Sequence, residues 1–177
     1  MTFTAPSREC GTCTACCEGW LSGTVHGHEM YRGKKCHFLG CNGCTIYKDR
    51  PEEPCKNFEC AWLKDKKGDI PEWMKPELSK VIIKEMEYEV EMRRTSFGTA
   101  SYILENAADL KTKSKFWYVS EMGETISGPV LNWLIQYALA HDMPLLYQVA
   151  GHREVLGPPD FHAWANQYKD RPIQMTK

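Results

Sequence analysis

The cysteines are the residues of this chain whose type and spacing most clearly indicate chemistry. The 177 residues include nine cysteines, and none follows Cys60. They are Cys10, Cys13, Cys16, Cys17, Cys36, Cys41, Cys44, Cys55 and Cys60. A structural disulfide framework usually has an even number of cysteines spread over the chain. A dense cluster with an odd number is instead typical of metal ligation by thiolates.

The first four cysteines have the most specific spacing, Cys10-x-x-Cys13-x-x-Cys16-Cys17. Two residues between cysteines let a tight turn direct both thiolates at one metal, in zinc sites and in iron–sulfur sites alike. Three cysteines at this spacing are typical of a ferredoxin-like cluster, which takes three local ligands and one distant ligand. Because adjacent side chains diverge, we expect Cys17 to face a second site or a different corner of the same cluster.

The later cysteines form further pairs at ligand spacing. By spacing alone, Cys41 pairs with Cys44, and Cys55 pairs with Cys60. Nine cysteines allow either two four-thiolate sites with one cysteine left over, or one cluster with several thiols around it. Two interpretations without metal, a disulfide scaffold and a thiol redox switch, are less favoured.

The order of the cysteine motifs resembles a known family. Five motifs follow one another: Cys10-x2-Cys13-x2-Cys16-Cys17, Cys36-His37-Phe38-Leu39, Cys44-Thr45-Ile46-Tyr47, Arg50-Pro51 and Cys55-x4-Cys60. This order resembles the YkgJ-type CxxCxxCC cysteine-cluster family, which is described as zinc- or iron-chelating. The resemblance leaves Cys41 outside the pattern, as a doubtful ligand. It implies that the metal ligands are Cys10, Cys13, Cys16, Cys17, Cys36, Cys44, Cys55 and Cys60.

Other residues near the cysteines could assist metal binding. His26 and His28 could supply nitrogen ligands, but we favour an exposed turn because thiolates are already abundant. His37 could donate an N–H to the Cys36 sulfur, or it could be a partly exposed surface imidazole. Arg50 could offset the negative charge of the thiolates, or it could be a surface residue at a helix start.

Composition excludes several classes of function. The hydrophobic fraction of 42% and the charged fraction of 25% are those of a soluble globular protein. A formal net charge of −1 argues against duplex nucleic acid or an anionic membrane as a partner. The apolar stretches are too short to span a bilayer, and the first residues lack the apolar run of a signal peptide. We therefore expect a cytoplasmic protein whose thiols stay reduced.

Residues 8–62 are predicted to form a cysteine-rich, metal-stabilised module with little regular structure. This segment has few aliphatic residues, whereas glycines and short turns are frequent. So little apolar content does not offset the entropy that the segment loses on ordering. Metal binding would supply the missing free energy, about 10 kcal/mol for a structural zinc site.

Residues 63–177 are predicted to form an α+β domain, a small sheet packed with helices on one side. Lys64–Asp69 is predicted to be a polar hinge that precedes it. Alternation and helical periodicity predict the elements of this domain. These are one or two strands from Val81 to Met92, strands at Ser101–Leu104, Lys115–Ser120 and Leu145–Val149, a helix opened by Gly128 and ended by Pro144, and a final helix over Phe161–Tyr168.

Three assignments in the second domain are less regular. Glu105–Leu110 is predicted to be helical if it is not part of a strand. His152–Glu154 is predicted to be an exposed turn. Aromatic residues at strand and helix spacing are expected in the core rather than around a pocket. These aromatic residues are Trp117, Tyr118, Trp133 and Tyr137.

The predicted function is metal binding, and the bound group is either an iron–sulfur cluster, favoured as 4Fe–4S, or zinc. A cluster would indicate electron transfer or sensing with a redox or protein partner. Zinc would indicate a structural role in an interaction module. A third hypothesis is an enzyme with a pocket in the C-terminal domain, supported by the metal module. The sequence shows no nucleophile–base pair, so no catalytic residue is assigned and we lean against an enzyme.

Overall fold

The computed structural model describes residues 8–91, 111–122, 125–149 and 152–168. Within these ranges the strands are β1 (Gly23–Val25), β2 (His28–Met30), β3 (Leu39–Gly40), β4 (Gly43–Cys44), β5 (Val81–Glu91), β6 (Lys111–Glu121), β7 (Leu145–Val149) and β8 (His152–Leu156). The α-helices are α1 (Ala61–Lys64), α2 (Pro76–Ser79), α3 (Gly128–His141) and α4 (Pro159–Gln167). Single helical turns occupy Ala15–Glu18, Tyr47–Asp49, Glu52–Lys56 and Glu72–Met74.

Two short hairpins organise the part of the chain that contains the cysteines. β1 and β2 pair antiparallel, and β3 and β4 do the same. The turn between β1 and β2 has positive φ at His26 (45°) and Gly27 (82°). Two consecutive positive φ angles are the geometry of the tight turn that best matches the twist of a hairpin. Neither hairpin has strands longer than three residues.

A four-stranded sheet in the order β5-β6-β7-β8 forms the second part of the molecule. β5 and β6 pair antiparallel over 11 residues each. β6 and β7 are parallel, and β7 and β8 are antiparallel. A parallel pair needs a crossover connection, and α3 lies in that connection. The predicted α+β class is therefore confirmed.

The two longer helices cover opposite faces of this sheet. Adjacent residues of a strand point to opposite faces. Phe116 of β6 contacts Phe161 and Trp164 of α4, with ring centroids 5.1 and 4.9 Å apart. Its neighbour Trp117 instead stacks on Tyr137 of α3 at 4.6 Å. The prediction of helices on one side of the sheet is therefore wrong, because the crossover helix and the last helix pack on different faces.

The predicted elements are mostly found, with changed bounds. The Leu145–Val149 strand and the helix that opens at Gly128 are confirmed. That helix ends at Asp142, in the left-handed conformation (φ 49°), and not at Pro144. Lys115–Ser120 lies within the longer β6, and Val81 begins a single strand that ends at Glu91. Met92, Ser101–Leu104 and Glu105–Leu110 lie outside the described residues.

The expected turn at His152–Glu154 is wrong, because these residues belong to β8. They pair antiparallel with β7, with Gln148 opposite Arg153 and Tyr147 opposite Glu154. The charged sequence hid this strand, since an edge strand can expose polar side chains to water.

A single connected cluster of buried apolar side chains runs through both parts of the molecule. It includes Leu21 from the cysteine-containing part and Ile82 from the sheet. Trp117 and Tyr118 are buried in it, as predicted, while Trp133 and Tyr137 are half-buried against it. The predicted boundary between residues 62 and 63 falls within α1 and remains a prediction.

The segment predicted to be a polar hinge is an anchored loop. The carboxylate of Asp65 accepts hydrogen bonds from the backbone N–H groups of Lys67 (3.0 Å), Gly68 (3.0 Å) and Ile70 (2.7 Å). Arg8 forms an ion pair with the same carboxylate at 3.2 Å. These contacts fix the loop to the segment that leads into the first cysteines.

No helix in the described ranges is both long enough and apolar enough to cross a membrane.

Candidate metal centre

A cavity of about 380 Å³ lies between the segments that carry the cysteines. Cys60 is not in its lining, but its thiol is close enough to Cys10 and Cys13 for their charges to act on it. Cys41 is exposed and does not contribute to the lining. The lining includes seven of the eight predicted ligands: Cys10, Cys13, Cys16, Cys17, Cys36, Cys44 and Cys55.

Local turns place the first four of these cysteines. The Cys13 N–H donates to the Cys10 carbonyl at 2.9 Å, which closes the tight turn expected from the spacing. Gly11, within that turn, has φ 54°, a conformation that favours glycine. Cys16 and Cys17 follow in the helical turn Ala15–Glu18. The Cys17 N–H donates to the Thr14 carbonyl at 2.8 Å at the start of this turn.

A backbone hydrogen bond joins the first cysteines to the next group. The Cys36 N–H donates to the Cys17 carbonyl at 2.8 Å. The Leu39 N–H then donates to the Cys36 carbonyl at 3.1 Å, and Leu39 pairs with Cys44 across the β3–β4 hairpin. Residues far apart in the sequence therefore meet at one edge of the cavity.

Cys55 and Cys60 come from the end of the cysteine-rich segment. Cys55 lies in the turn Glu52–Lys56. Pro54 of this turn packs closely on Gly23 of β1, because a Cβ added at Gly23 would lie 2.9 Å from the proline ring. Cys60 immediately precedes α1. Burial raises the pKa of Cys60 to about 11, although backbone N–H groups of Leu63 and Trp62 donate to its sulfur and lower it.

Burial and mutual repulsion hold protons on the inner thiols. Burial raises the pKa of Cys16 well above its ordinary value, and thiolates at Cys60, Cys10 and other neighbours would raise it further. Burial raises the pKa of Cys17 to about 12, and Cys36 is the next largest cause. A bound metal cation would displace these protons, because thiolates rather than thiols are metal ligands.

Two basic residues act on the thiols. Arg50 lines the cavity, and its guanidinium lies 3.7 Å from the centroid of the Tyr47 ring. Burial raises the pKa of Cys10 and Cys17, and the charge of Arg50 offsets part of that rise. Lys75 also lowers the pKa of Cys10. The sequence suggested Arg50 but gave no signal for Lys75, because Lys75 is distant in the chain and reaches the site only through folding.

The histidines of this region do not line the cavity. His26 and His28 are exposed beside the β1–β2 turn, as predicted. The rings of His28 and His37 stack 3.8 Å apart at an angle of 7°. His37 is exposed, in agreement with the surface alternative. Seven thiols therefore line the cavity without a histidine, together with the oxygen-bearing side chains of Glu9, Thr14, Asn42 and Tyr47.

The donor chemistry fits a thiolate-bound metal, although the thiols are not arranged as a coordination sphere. Across the residues that the structure describes, no group of three or more histidine, cysteine or acidic side chains is close enough to hold a metal ion. Soft sulfur donors suit zinc and iron–sulfur clusters. A four-thiolate zinc site needs each sulfur at about 2.3 Å from the metal.

A second cavity, of about 770 Å³, lies beside the sheet in the other part of the molecule. Its lining includes Tyr88, Lys115, Asp142 and Asp160. Burial raises the pKa of Tyr88, and the charge of Asp160 raises it further. The Lys115 ammonium lies 2.8 Å from a carboxylate oxygen of Glu85. The cavity gives the enzyme hypothesis a location, but it does not assign a reaction.

No protein-family model, curated protein or solved structure matches this chain. The resemblance to the YkgJ-type family therefore remains a prediction from the order of the cysteine motifs.

Proposed function

We propose that this protein binds metal through cysteine thiolates and uses the bound centre in redox chemistry or sensing. One observation supports this most strongly. Seven of the eight predicted ligands line one cavity and the eighth lies beside it, whereas Cys41, the cysteine outside the motif pattern, is exposed. Cys44, in the same hairpin as Cys41, lines the cavity.

The bound group that we favour is an iron–sulfur cluster, and structural zinc is the alternative. Both are compatible with thiolate-only coordination. A cluster would change oxidation state and exchange electrons with a partner. Zinc has no redox chemistry and would stabilise the fold as an interaction module. The reducing cytoplasm, where we expect the protein, would keep the thiols available for either group.

Metal analysis of the full chain purified without oxygen tests the proposal. We expect bound iron with acid-labile sulfide and a brown colour, or bound zinc without colour. Iron with sulfide supports the redox proposal, whereas zinc alone supports the structural alternative. A folded, reduced protein that retains neither metal, and that does not bind either one on reconstitution, would contradict metal binding.

Cys44→Ser and Cys41→Ser form a matched pair of variants. Both change one thiol of the β3–β4 hairpin, but only Cys44 lines the cavity. We expect Cys44→Ser to lose metal and Cys41→Ser to retain the content of the unmodified protein. Equal losses in the two variants would show that the ligand assignment is wrong.

A further inference from the structure

We propose that the eight thiolates form two separate four-thiolate centres that adjoin at the Cys16–Cys17 peptide. This inference rests on the metal-binding function proposed above. Each centre would take one four-coordinate metal ion or one cluster. The first centre would consist of Cys10, Cys13, Cys16 and Cys60. The second centre would consist of Cys17, Cys36, Cys44 and Cys55.

The turn Ala15–Glu18 separates Cys16 from Cys17. It is a 3₁₀ turn, in which successive side chains are rotated by about 120° around the axis. Two adjacent cysteines in such a turn point in different directions. They are therefore poorly placed to share one small ion, but well placed to contribute one ligand to each of two centres.

Backbone contacts assemble the second set on the Cys17 side of the turn. The Cys17 carbonyl accepts the Cys36 N–H, and the hairpin that follows Cys36 carries Cys44. The thiolate charges that act most strongly on Cys17 are those of Cys36, Cys44 and Cys55. Those that act on Cys55 are again Cys36 and Cys44. All four thiols also line the same cavity.

Different contacts assemble the first set on the Cys16 side. Cys10 and Cys13 belong to one tight turn, and the thiolates that act on Cys60 are those of Cys10 and Cys13. Cys60 and Cys10 are the two thiolates that would act most strongly on Cys16, followed by the adjacent Cys17 and then by Cys13. Lys75 lies near both the Cys10–Cys13 turn and the helix that follows Cys60. A Cβ added at Gly11 would lie 3.8 Å from its ammonium. The ammonium lies 5.4 Å from the centroid of the Trp62 ring.

Arg50 faces both sets. Its charge acts on Cys10 of the first set and on Cys17 and Cys55 of the second. Four thiolates around a divalent ion leave a net negative charge, so two adjacent centres repel each other. A guanidinium in the cavity lining, with its charge acting on thiols of both sets, would reduce that repulsion.

Alkylation mapping tests the division without changing any residue. The full reduced, metal-free chain is loaded with zinc at half of its measured capacity. Free thiols are then alkylated, and intact chains that retain four unmodified cysteines are isolated and fragmented in a mass spectrometer. We expect the four protected cysteines to be one complete set or the other, and full loading to need about two zinc ions per chain.

The outcomes separate this inference from the proposed function. Chains that protect a mixture, for example Cys10 together with Cys44, would overturn the two centres while leaving metal binding intact. Protection of all eight thiols by a single equivalent would also overturn them. Failure of the unmodified chain to bind zinc or iron at all would instead contradict the proposed function.

Cobalt titration gives a second measurement that uses variants. Thiolate-bound Co²⁺ absorbs visible light, so the saturation point reports the number of centres. We expect Cys13→Ser and Cys44→Ser each to lose about half of the tetrathiolate absorbance of the unmodified chain, and Cys41→Ser to lose none. The Cys13→Ser/Cys44→Ser double variant should lose nearly all of it. Complete loss in either single variant, with the fold retained by circular dichroism, would contradict separate centres.

Discussion

Arg50 is positioned by a residue close to it in sequence, so its charge remains directed at the thiols. Its guanidinium lies over the Tyr47 ring, and its Nε–H donates to the Tyr47 carbonyl at 2.9 Å. Stacking on an aromatic ring does not neutralise a guanidinium. This side chain can therefore favour the ionised form of thiols in both proposed centres.

We predict that Arg50→Gln releases zinc faster than the unmodified protein does. Loss of one nearby positive charge at a partly exposed site costs about 1 kcal/mol, which corresponds to roughly a fivefold faster transfer to a coloured chelator. Lys48→Gln removes a neighbouring exposed charge and serves as the control. Equal release rates for Arg50→Gln and Lys48→Gln would show that the position of Arg50 has no special effect.

The pKa values of the buried thiols predict how the metal-free protein responds to alkali. Burial raises the pKa of Cys17 from its ordinary 9.0 to about 12, and that of Cys60 to about 11. The folded state therefore holds these protons more tightly than the unfolded state does. This contribution to stability is complete below pH 9 and is lost as the pH rises toward 11 to 12.

We therefore predict that the free energy of unfolding of the reduced, metal-free chain falls above pH 9. Denaturant unfolding at several pH values between neutrality and pH 11 measures this change. The metal-loaded chain should show a smaller fall, because its thiols have already lost their protons. A metal-free chain whose stability is constant over this range would be inconsistent with raised thiol pKa values.

At the scale of elements, Gly19 allows two segments of the cysteine-rich region to approach. It follows the turn Ala15–Glu18 and has φ 94°. A Cβ at this position would lie 2.9 Å from the Tyr31 carbonyl oxygen and 3.1 Å from that of Lys34. Gly33 has a similar φ, 89°, but a Cβ there would meet nothing within 4 Å.

We predict that Gly19→Ala destabilises the protein more than Gly33→Ala does. Both substitutions strain a left-handed backbone by about 1 kcal/mol, but only Gly19→Ala also pushes two carbonyl groups away. The additional cost is about 1–3 kcal/mol, in the range of overpacking. Denaturant unfolding of both variants measures the difference. Equal free energies of unfolding would mean that the close approach at Gly19 relaxes without cost.

The loop after α1 is stabilised by its own carboxylate. Burial raises the pKa of Asp65, but the N–H donors of Ile70, Lys67 and Gly68, together with Arg8, lower it below its ordinary 3.8. Arg8 also donates to the carbonyls of Trp62 and Ile70. The carboxylate and the guanidinium thus satisfy several backbone groups that would otherwise lack partners.

We predict that Asp65→Asn costs about 2 kcal/mol of unfolding free energy at neutral pH. Because the pKa of Asp65 is lowered in the folded state, its ionised carboxylate stabilises the fold above pH 3.8. This stabilisation is lost as the pH falls through the pKa that Asp65 has in the folded state. The difference in free energy of unfolding between Asp65→Asn and the unmodified protein should therefore become smaller in acid. Asp69→Asn, an exposed change in the same loop, should have little effect at any pH. A gap that does not depend on pH would exclude an ionised Asp65 as its cause.

At the scale of the whole molecule, local sequence patterns predicted individual helices and strands better than they predicted the contacts between distant parts of the chain. Proline and apolar periodicity were sufficient for α3, and alternation indicated β5, because these signals arise within one element. Only Lys115–Ser120 of β6 was predicted, since the basic residues from Lys111 onward do not show a strand pattern. The placement of α3 and α4 on opposite faces depends on how the crossover packs, which no local pattern contains. Lys75 near Cys10 and Arg8 near Asp65 likewise join distant parts of the chain.

The candidate site likewise combines features that the sequence indicated with contacts that it did not. Spacing alone pairs Cys41 with Cys44, and only the resemblance of the motif order leaves Cys41 out; in the structure Cys41 is exposed and Cys44 lines the cavity. Spacing left open which thiols are neighbours, because that depends on the turn at Ala15–Glu18 and on the bond between Cys36 and Cys17. The turn is local and the bond joins distant segments, and together they motivate the two-centre proposal.

The order of the two proposed ligand sets along the chain has a consequence for assembly. Every member of the second set falls between Cys16 and Cys60, so the second set is nested within the loop that the first centre must close. Closing a loop costs more entropy as its length grows. In the unfolded chain, filling the inner centre shortens the free loop and so lowers the entropy cost of closing the outer one. Cys55 also leaves the ribosome before Cys60, so synthesis itself favours closing the inner centre first.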